Sequence, residues 1–88
     1  MDAQKLVALN LRRLRLMKGV SQENLAIDAG IARTYVSRLE RAMENPTVDV
    51  LDRLAHALEA GIVDFFAPSK TAHVKLPPLP RGPKGKRG

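Results

Sequence analysis

The chain has 88 residues and no cysteine, which excludes disulfide frameworks, thiolate zinc sites and cysteine nucleophiles. Hydrophobic residues make up 44% and aromatic residues only 3%, a composition that favours packed helices over a sandwich or barrel. Six of the 15 Lys and Arg residues lie in residues 67–88, so residues 1–66 are neutral, with nine basic and nine acidic groups. No apolar run approaches the roughly 20 residues of a membrane span, and the first ten residues do not resemble a signal peptide. We therefore expect one small soluble domain, in the cytoplasm and without a membrane partner.

Apolar residues with helical spacing begin near the N-terminus. Val7, Leu11 and Leu14 repeat at i, i+4 and i+7 and predict a first helix, which Gly19 can end in the left-handed conformation. Ser21 is a good N-cap for a second helix. That helix is predicted to be short.

Gly30 interrupts the second apolar pattern after about two turns and permits a positive φ in a tight turn. Helical spacing resumes at Ile31 and predicts a third helix. A turn and cap at residues 45–47 begin a fourth helix, which we expect Gly61 to end. Residues 62–66 form a short apolar end and are interpreted as one further helical turn.

Residues 67–88 contain five of the six prolines, three glycines and no acid. Such a segment buries too little apolar surface to offset its ordering entropy. We therefore predict a helical domain over residues 1–66 and a flexible, disordered basic tail over residues 67–88. The tail has three possible roles. Residues 80–87 faintly resemble AT-hook arms of the minor groove, a non-specific phosphate-binding tail is the simpler reading, and an inert solubilising tail is the third.

The most informative window runs from Gln22 to Arg41: a short helix, a glycine-centred turn and a second helix. Apolar residues of the second helix point inward and leave one polar face, formed by Arg33, Thr34, Ser37 and Arg38. Residues 12–41 carry seven basic and three acidic side chains, whereas residues 42–66 carry one basic and five acidic. The basic half could dock on a polyanion, although charge alone does not distinguish this from a solvated surface.

Several motifs together resemble the Cro/phage-repressor, or XRE-type, class of helix-turn-helix domains. They are Arg12-x-Leu14-Arg15, Gly19-Val20-Ser21-Gln22-Glu23-x-Leu25-Ala26, Gly30-Ile31, Tyr35-Val36-Ser37-x-Leu39-Glu40-Arg41 and Asn45-Pro46-Thr47. The resemblance covers about residues 5–66. It implies an all-α, compact, four- to five-helix, lambda-repressor-like domain. Residues 33–37 also look like the corresponding run of restriction-modification controller proteins.

The resemblance implies that the helix from Ala32 to Glu40 lies in the major groove of double-stranded DNA. The implied base-contacting residues are Ala32, Arg33, Thr34, Ser37 and Arg38. The implied phosphate-contacting residues are Ser21, Gln22, Tyr35, Arg41 and Asn45. Gln22 would also brace the reading helix, and Tyr35 could instead cover the edge of the core. Arg15 and Glu40 match a partly buried ion pair that ties the first helix to the reading helix.

Two positions depart from the family pattern. Ala32 stands where a capping serine is common, so the reading helix should lack a side-chain cap, while the alanine methyl could meet a thymine methyl. Residues 42–44, Ala-Met-Glu, stand where glycine and basic residues are common. Glu44 would repel phosphate, which makes Arg41 and Asn45 the better anchors.

The family often forms dimers through its last helix, and the implied interface here comprises Ile62, Phe65 and Phe66, although one phenylalanine could belong to the core. His56 and His73 have no second ligand nearby in the sequence, so we expect no metal. No small-molecule-binding domain is visible beyond Phe66, so we expect no cofactor and no small-molecule ligand. No catalytic set stands out. The sequence therefore predicts a homodimeric, sequence-specific DNA-binding repressor or autoregulator. The alternative is a protein-interaction module of antitoxin-like or coactivator-like type.

Overall fold

The computed structural model describes residues 2–68 and confirms the all-α prediction. Its elements, in chain order, are α1 (Ala3–Lys18), α2 (Gln22–Ala29), α3 (Arg33–Glu40), α4 (Val48–Leu58) and a 3-10 helix (Ile62–Phe66). The predicted basic tail falls almost wholly outside the described residues, so its role and the boundary at residue 66 stay predictions.

Side-chain caps begin three of the four α-helices. The Ser21 hydroxyl accepts a hydrogen bond from the backbone N–H of Asn24 at 2.9 Å. The Thr47 hydroxyl accepts one from Val50 at 3.1 Å. Asp2 caps α1 in the same way. Ala32 provides no such bond to α3, as its side chain predicts.

All four α-helices end in the same left-handed motif, which needs a residue with positive φ just after the helix. Gly19 and Gly30 fill this position after α1 and α2, with φ of 76° and 73°. After α4 the residue is Glu59, with φ of 55°, so the prediction that Gly61 ends this helix is wrong. Gly61 instead precedes the 3-10 helix, and its N–H donates to the Asp64 carboxylate at 2.9 Å.

The helix α3 ends in this motif with an alanine. Ala42 has φ of 59°, its N–H donates to the Leu39 carbonyl, and the Met43 N–H donates to the Arg38 carbonyl at 2.9 Å. An L-residue in the left-handed region carries a steric cost that glycine avoids. The glycine that the family resemblance leads us to expect here therefore has a backbone explanation.

The core forms where these helices converge. Its fully buried side chains are Leu11, Leu25, Val36, Leu39, Leu54 and Phe65. Ala26 is 3% exposed and lies where α2 packs against its neighbours, a position that has little room for a larger side chain. The Phe65 ring is completely buried in the core, so the prediction that it forms a dimer contact is wrong.

Asn10 is the one completely buried polar side chain of the described residues, and it fastens the 3-10 helix to α1. Its amide nitrogen donates to the carbonyls of Phe65 at 2.9 Å and Ala67 at 3.0 Å. Its carbonyl oxygen accepts from the Arg13 guanidinium at 3.1 and 3.2 Å. The amide thereby satisfies backbone groups that would otherwise be buried without a partner.

We predict that Asn10→Ala lowers the free energy of unfolding by about 2 kcal/mol, because carbonyls buried behind it lose their donor. Asn24→Ala is the control, since Asn24 is exposed on α2, and should change stability by less than about 0.5 kcal/mol. Urea unfolding followed by circular dichroism measures both. Equal effects of the two substitutions would contradict the conclusion that Asn10 holds the 3-10 helix to α1.

The left-handed alanine gives a second prediction. Ala42→Gly should raise the free energy of unfolding by about 0.5–1 kcal/mol, because glycine removes the steric cost of φ 59°. Ala57→Gly, the same change inside α4, should lower it by about 0.5–1 kcal/mol. Thermal and urea unfolding should therefore show changes in the free energy of unfolding of opposite sign for the two variants. Destabilisation by both substitutions would refute the backbone explanation.

Candidate nucleic-acid interface

The helix α3 has one buried face and one open face. Val36 and Leu39 are buried against the core. On the other side Arg33 and Thr34 are exposed, and Ser37 is half-buried one turn further along. The exposed Ala32 precedes this face, Arg38 lies half-buried beside it, and the exposed Arg41 follows it. The structure thus brings the predicted base-contacting residues onto one surface.

The last residue of α3 holds the helix to α1. The Glu40 carboxylate accepts two hydrogen bonds from Arg15, at 2.6 Å from Nε and 3.1 Å from Nη2. The two side chains are only 3% and 10% exposed. The third nitrogen of the guanidinium, Nη1, donates to the Val20 carbonyl at 3.0 Å. This two-point geometry fixes the direction of both side chains as well as their separation.

Gln22 joins α2 to the same carboxylate. Its amide nitrogen donates to Oε1 of Glu40 at 3.1 Å, and Arg12 lies 3.8 Å from the same oxygen. Gln22 therefore braces α3. Its amide has two N–H groups, so the half-buried side chain retains a donor for a ligand near the start of α2.

The N-terminus of α2 lies beside this brace. The Ser21 oxygen already accepts the capping bond from Asn24, which leaves its hydroxyl hydrogen to donate outward from an exposed position. Backbone N–H groups at a helix N-terminus favour anions. Ser21 and Gln22 therefore offer donors suited to a phosphate.

Arg38 has an intramolecular partner that the sequence analysis missed. Its Nε donates to Oε2 of Glu44 at 2.7 Å, and its Nη2 lies 3.4 Å from the Met43 carbonyl. The backbone carbonyl of Glu44 in turn accepts from Gln4 of α1 at 3.0 Å. No local pattern in the sequence indicates this pair, because Arg38 and Glu44 are six residues apart and only the left-handed turn at Ala42 brings them together.

Tyr35 is half-buried and packs against the core, so it does cover the core edge. Burial, and then the negative charge of Glu44, raise the pKa of the Tyr35 phenol above its ordinary value. The phenol is therefore protonated at neutral pH and keeps a hydrogen to donate. The other predicted phosphate anchors near the end of α3, Arg41 and Asn45, are both exposed.

The far end of the described chain presents apolar surface. Phe66 is 47% exposed and Val63 73% exposed, whereas Ile62 is half-buried and Phe65 is buried. Val63 was missed by the sequence analysis, because the 3-10 turn, and not a period of 3.6, decides which of these residues face outward.

Residues 2–68 contain no group of three or more His, Cys, Asp or Glu side chains placed to hold a metal ion. Over the same residues, no helix has the length and apolar character to span a membrane.

Comparisons with known proteins agree on one family. A family model described as helix-turn-helix matches residues 11–65. An uncharacterised HTH-type transcriptional regulator of Sinorhizobium fredii is 44% identical over 69 residues, which cover 78% of this chain and 90% of the relative. The control protein C.SmaI of Serratia marcescens is 39% identical over 62 residues, covering 70% of this chain and 74% of that protein.

A solved structure shares the fold. The restriction-modification controller protein C.AhdI of Aeromonas hydrophila superposes with a TM-score of 0.70 and is 36% identical, covering 72% of this chain and 96% of that one. The fold, the exposed face of α3 and these relatives lead to one conclusion. The chain belongs to the helix-turn-helix family and is a DNA-binding transcriptional regulator.

Proposed function

We propose that this regulator recognises an inverted repeat in double-stranded DNA as a homodimer, with α3 of each protomer in the major groove, and acts as a repressor or autoregulator. The observation that carries the proposal is the open polar face of α3 on a helix whose last residue, Glu40, is braced from α1 and α2. A helix held in one orientation presents its side chains at fixed distances, which base recognition requires.

Arg33 is the principal base-reading residue of the proposal. It is exposed at the first position of α3, and none of the ion pairs within residues 2–68 includes it. A guanidinium of this kind can donate two parallel hydrogen bonds to O6 and N7 of a guanine. Thr34, Ser37 and Arg38 continue the same face, and Ala32 precedes it with a methyl group suited to thymine.

Phosphate contacts would set the position of α3 along the groove. The donors assigned to them are Ser21, Gln22, Tyr35, Arg41 and Asn45. Ser21 and Gln22 lie at the start of α2, and Arg41 and Asn45 follow α3. The hydrogen bond from Gln22 to Glu40 brings the start of α2 close to the end of α3. Phosphate contacts position a protein, and base contacts specify the sequence.

Dimerisation would use the apolar end of the described chain. Phe66 and Val63 are exposed there, and the half-buried Ile62 adjoins them in the 3-10 helix. A two-fold dimer places two copies of α3 against half-sites one helical turn apart, about 34 Å.

Selection of binding sites from random duplex DNA with the full chain tests the proposal. We expect enrichment of an inverted repeat with half-site centres one turn apart. If no motif is enriched, and if affinity for DNA varies with salt concentration but not with sequence, the proposal is overturned. That result would favour the protein-interaction module instead.

Arg33→Ala should relax preference at one base position of each half-site, with a loss of discrimination of about 1–3 kcal/mol there. Arg33→Lys is the control, because lysine keeps the charge and loses the planar two-donor edge. We expect Arg33→Lys to retain low-salt affinity and still lose preference at that position. Unchanged preference in both variants, measured by competition with single-base operator variants, would exclude Arg33 as a base contact.

Arg41→Ala should weaken binding to all sequences alike, because a phosphate carries no sequence information. The slope of log affinity against log salt should become shallower by about 0.9 per contact in each protomer. Lys18→Ala removes the same charge from α1, where Lys18 pairs with Glu59 at 2.7 Å, and should leave the slope unchanged. Equal slope changes in the two variants would show a general charge effect and no contact by Arg41.

A further inference from the structure

We infer that Glu44 is a specificity-determining residue: by holding one donor edge of the Arg38 guanidinium, it positions the other donor edge for a guanine in the major groove. This inference rests on the proposed function, since it requires α3 to read base edges. It adds a role for Glu44: besides carrying a charge that repels phosphate, Glu44 is the partner of a base-reading arginine.

The geometry of the pair supports this role. A guanidinium carries five N–H groups in a planar fork. Nε of Arg38 points to Glu44 at 2.7 Å, and Nη2 lies near the Met43 carbonyl at 3.4 Å, so the edge formed by Nε and Nη2 is occupied. The edge formed by Nη1 and Nη2 remains and can donate two parallel hydrogen bonds. Arg38 can therefore keep its ion pair with Glu44 and bind a guanine at the same time.

The backbone that carries the carboxylate is held in place. The Glu44 side chain is 29% exposed, less than the 41% of Arg38. Its backbone carbonyl accepts from Gln4, and the preceding Met43 N–H donates to the Arg38 carbonyl. Since both ends of the loop are bonded to helices, Arg38 pairs with an anchored partner and loses rotamer freedom before DNA arrives. An arginine oriented in advance forms hydrogen bonds at a lower entropic cost.

The negative charge also works against non-specific binding. Glu44 lies beside the open face of α3, where it pairs with Arg38. Burial first, and then the negative charge of Glu44, raise the pKa of the Tyr35 phenol. A carboxylate near a phosphate backbone lowers affinity for every sequence. The same residue thus favours one base through Arg38 and disfavours DNA in general, and both effects raise the ratio of specific to non-specific affinity.

Glu44→Gln is the test, with Glu59→Gln as the matched control. Both glutamates carry an ion pair at 2.7 Å to a basic residue of another segment, Glu44 with Arg38 and Glu59 with Lys18. Only Glu44 lies beside α3. The full chain is used for every variant, with competition binding to the selected operator and its single-base variants, and unfolding curves confirm that each variant is folded.

Arg38→Ala first identifies the base position that Arg38 reads. At that position Glu44→Gln should lower discrimination by about fivefold, the size that coupling between contacting side chains commonly takes. It should also raise affinity for random duplex at low salt. Glu59→Gln should leave base preference unchanged, and the double variant Arg38→Ala with Glu44→Gln should discriminate no less than Arg38→Ala alone.

Two outcomes would overturn the inference. If Glu44→Gln raises affinity for all sequences without changing preference, Glu44 acts only by repulsion. If it sharpens preference at the position of Arg38, the ion pair withholds Arg38 from DNA. Absence of any selected operator for the unaltered chain is a separate result, since it contradicts the proposed function itself.

Discussion

The Glu40 carboxylate lies at the end of α3, almost completely removed from solvent, and is held by two nitrogens of Arg15 and the amide of Gln22. Removal of one partner from such a pair leaves a buried charge uncompensated, which typically costs about 3–5 kcal/mol. Because a buried ion pair is weak evidence for net stability, we assign this pair to the architecture of the domain. It sets where α3 lies relative to α1 and α2, and every other feature of the open face depends on that position.

The two ends of α3 contrast with this brace. Ala32 begins the helix without a side-chain cap, and Ala42 ends it in a left-handed conformation that alanine adopts at a cost. Both ends carry local instability, yet both lie next to the surface assigned to DNA. The turn at Ala42 is what brings Glu44 back to Arg38. The backbone irregularity thereby has a consequence for recognition, because a straight continuation of the helix would separate the two side chains.

Much of the fold follows from local patterns. The caps at Ser21 and Thr47 and the glycines at 19 and 30 predict the start or end of three helices, because caps and left-handed turns depend on single residue types. The prediction for the end of α4 was wrong because Glu59 takes the left-handed position that a glycine was expected to hold. Non-local contacts were harder to predict. The side chain of Asn10 bonds to Phe65 and Ala67, which lie 55 and 57 positions later in the chain, and no local pattern encodes these hydrogen bonds.

The site shows the same division. The open face of α3 follows from its helical period, and the pair of Arg15 with Glu40 followed from the family resemblance. Nothing in the spacing of Arg38 and Glu44 indicates an ion pair. Protection of guanine N7 from methylation, measured on the selected operator with the full chain bound, tests the central claim that α3 reads the major groove. We expect protected guanines in two half-sites one turn apart, about 34 Å. Undiminished N7 reactivity on saturated DNA would contradict it.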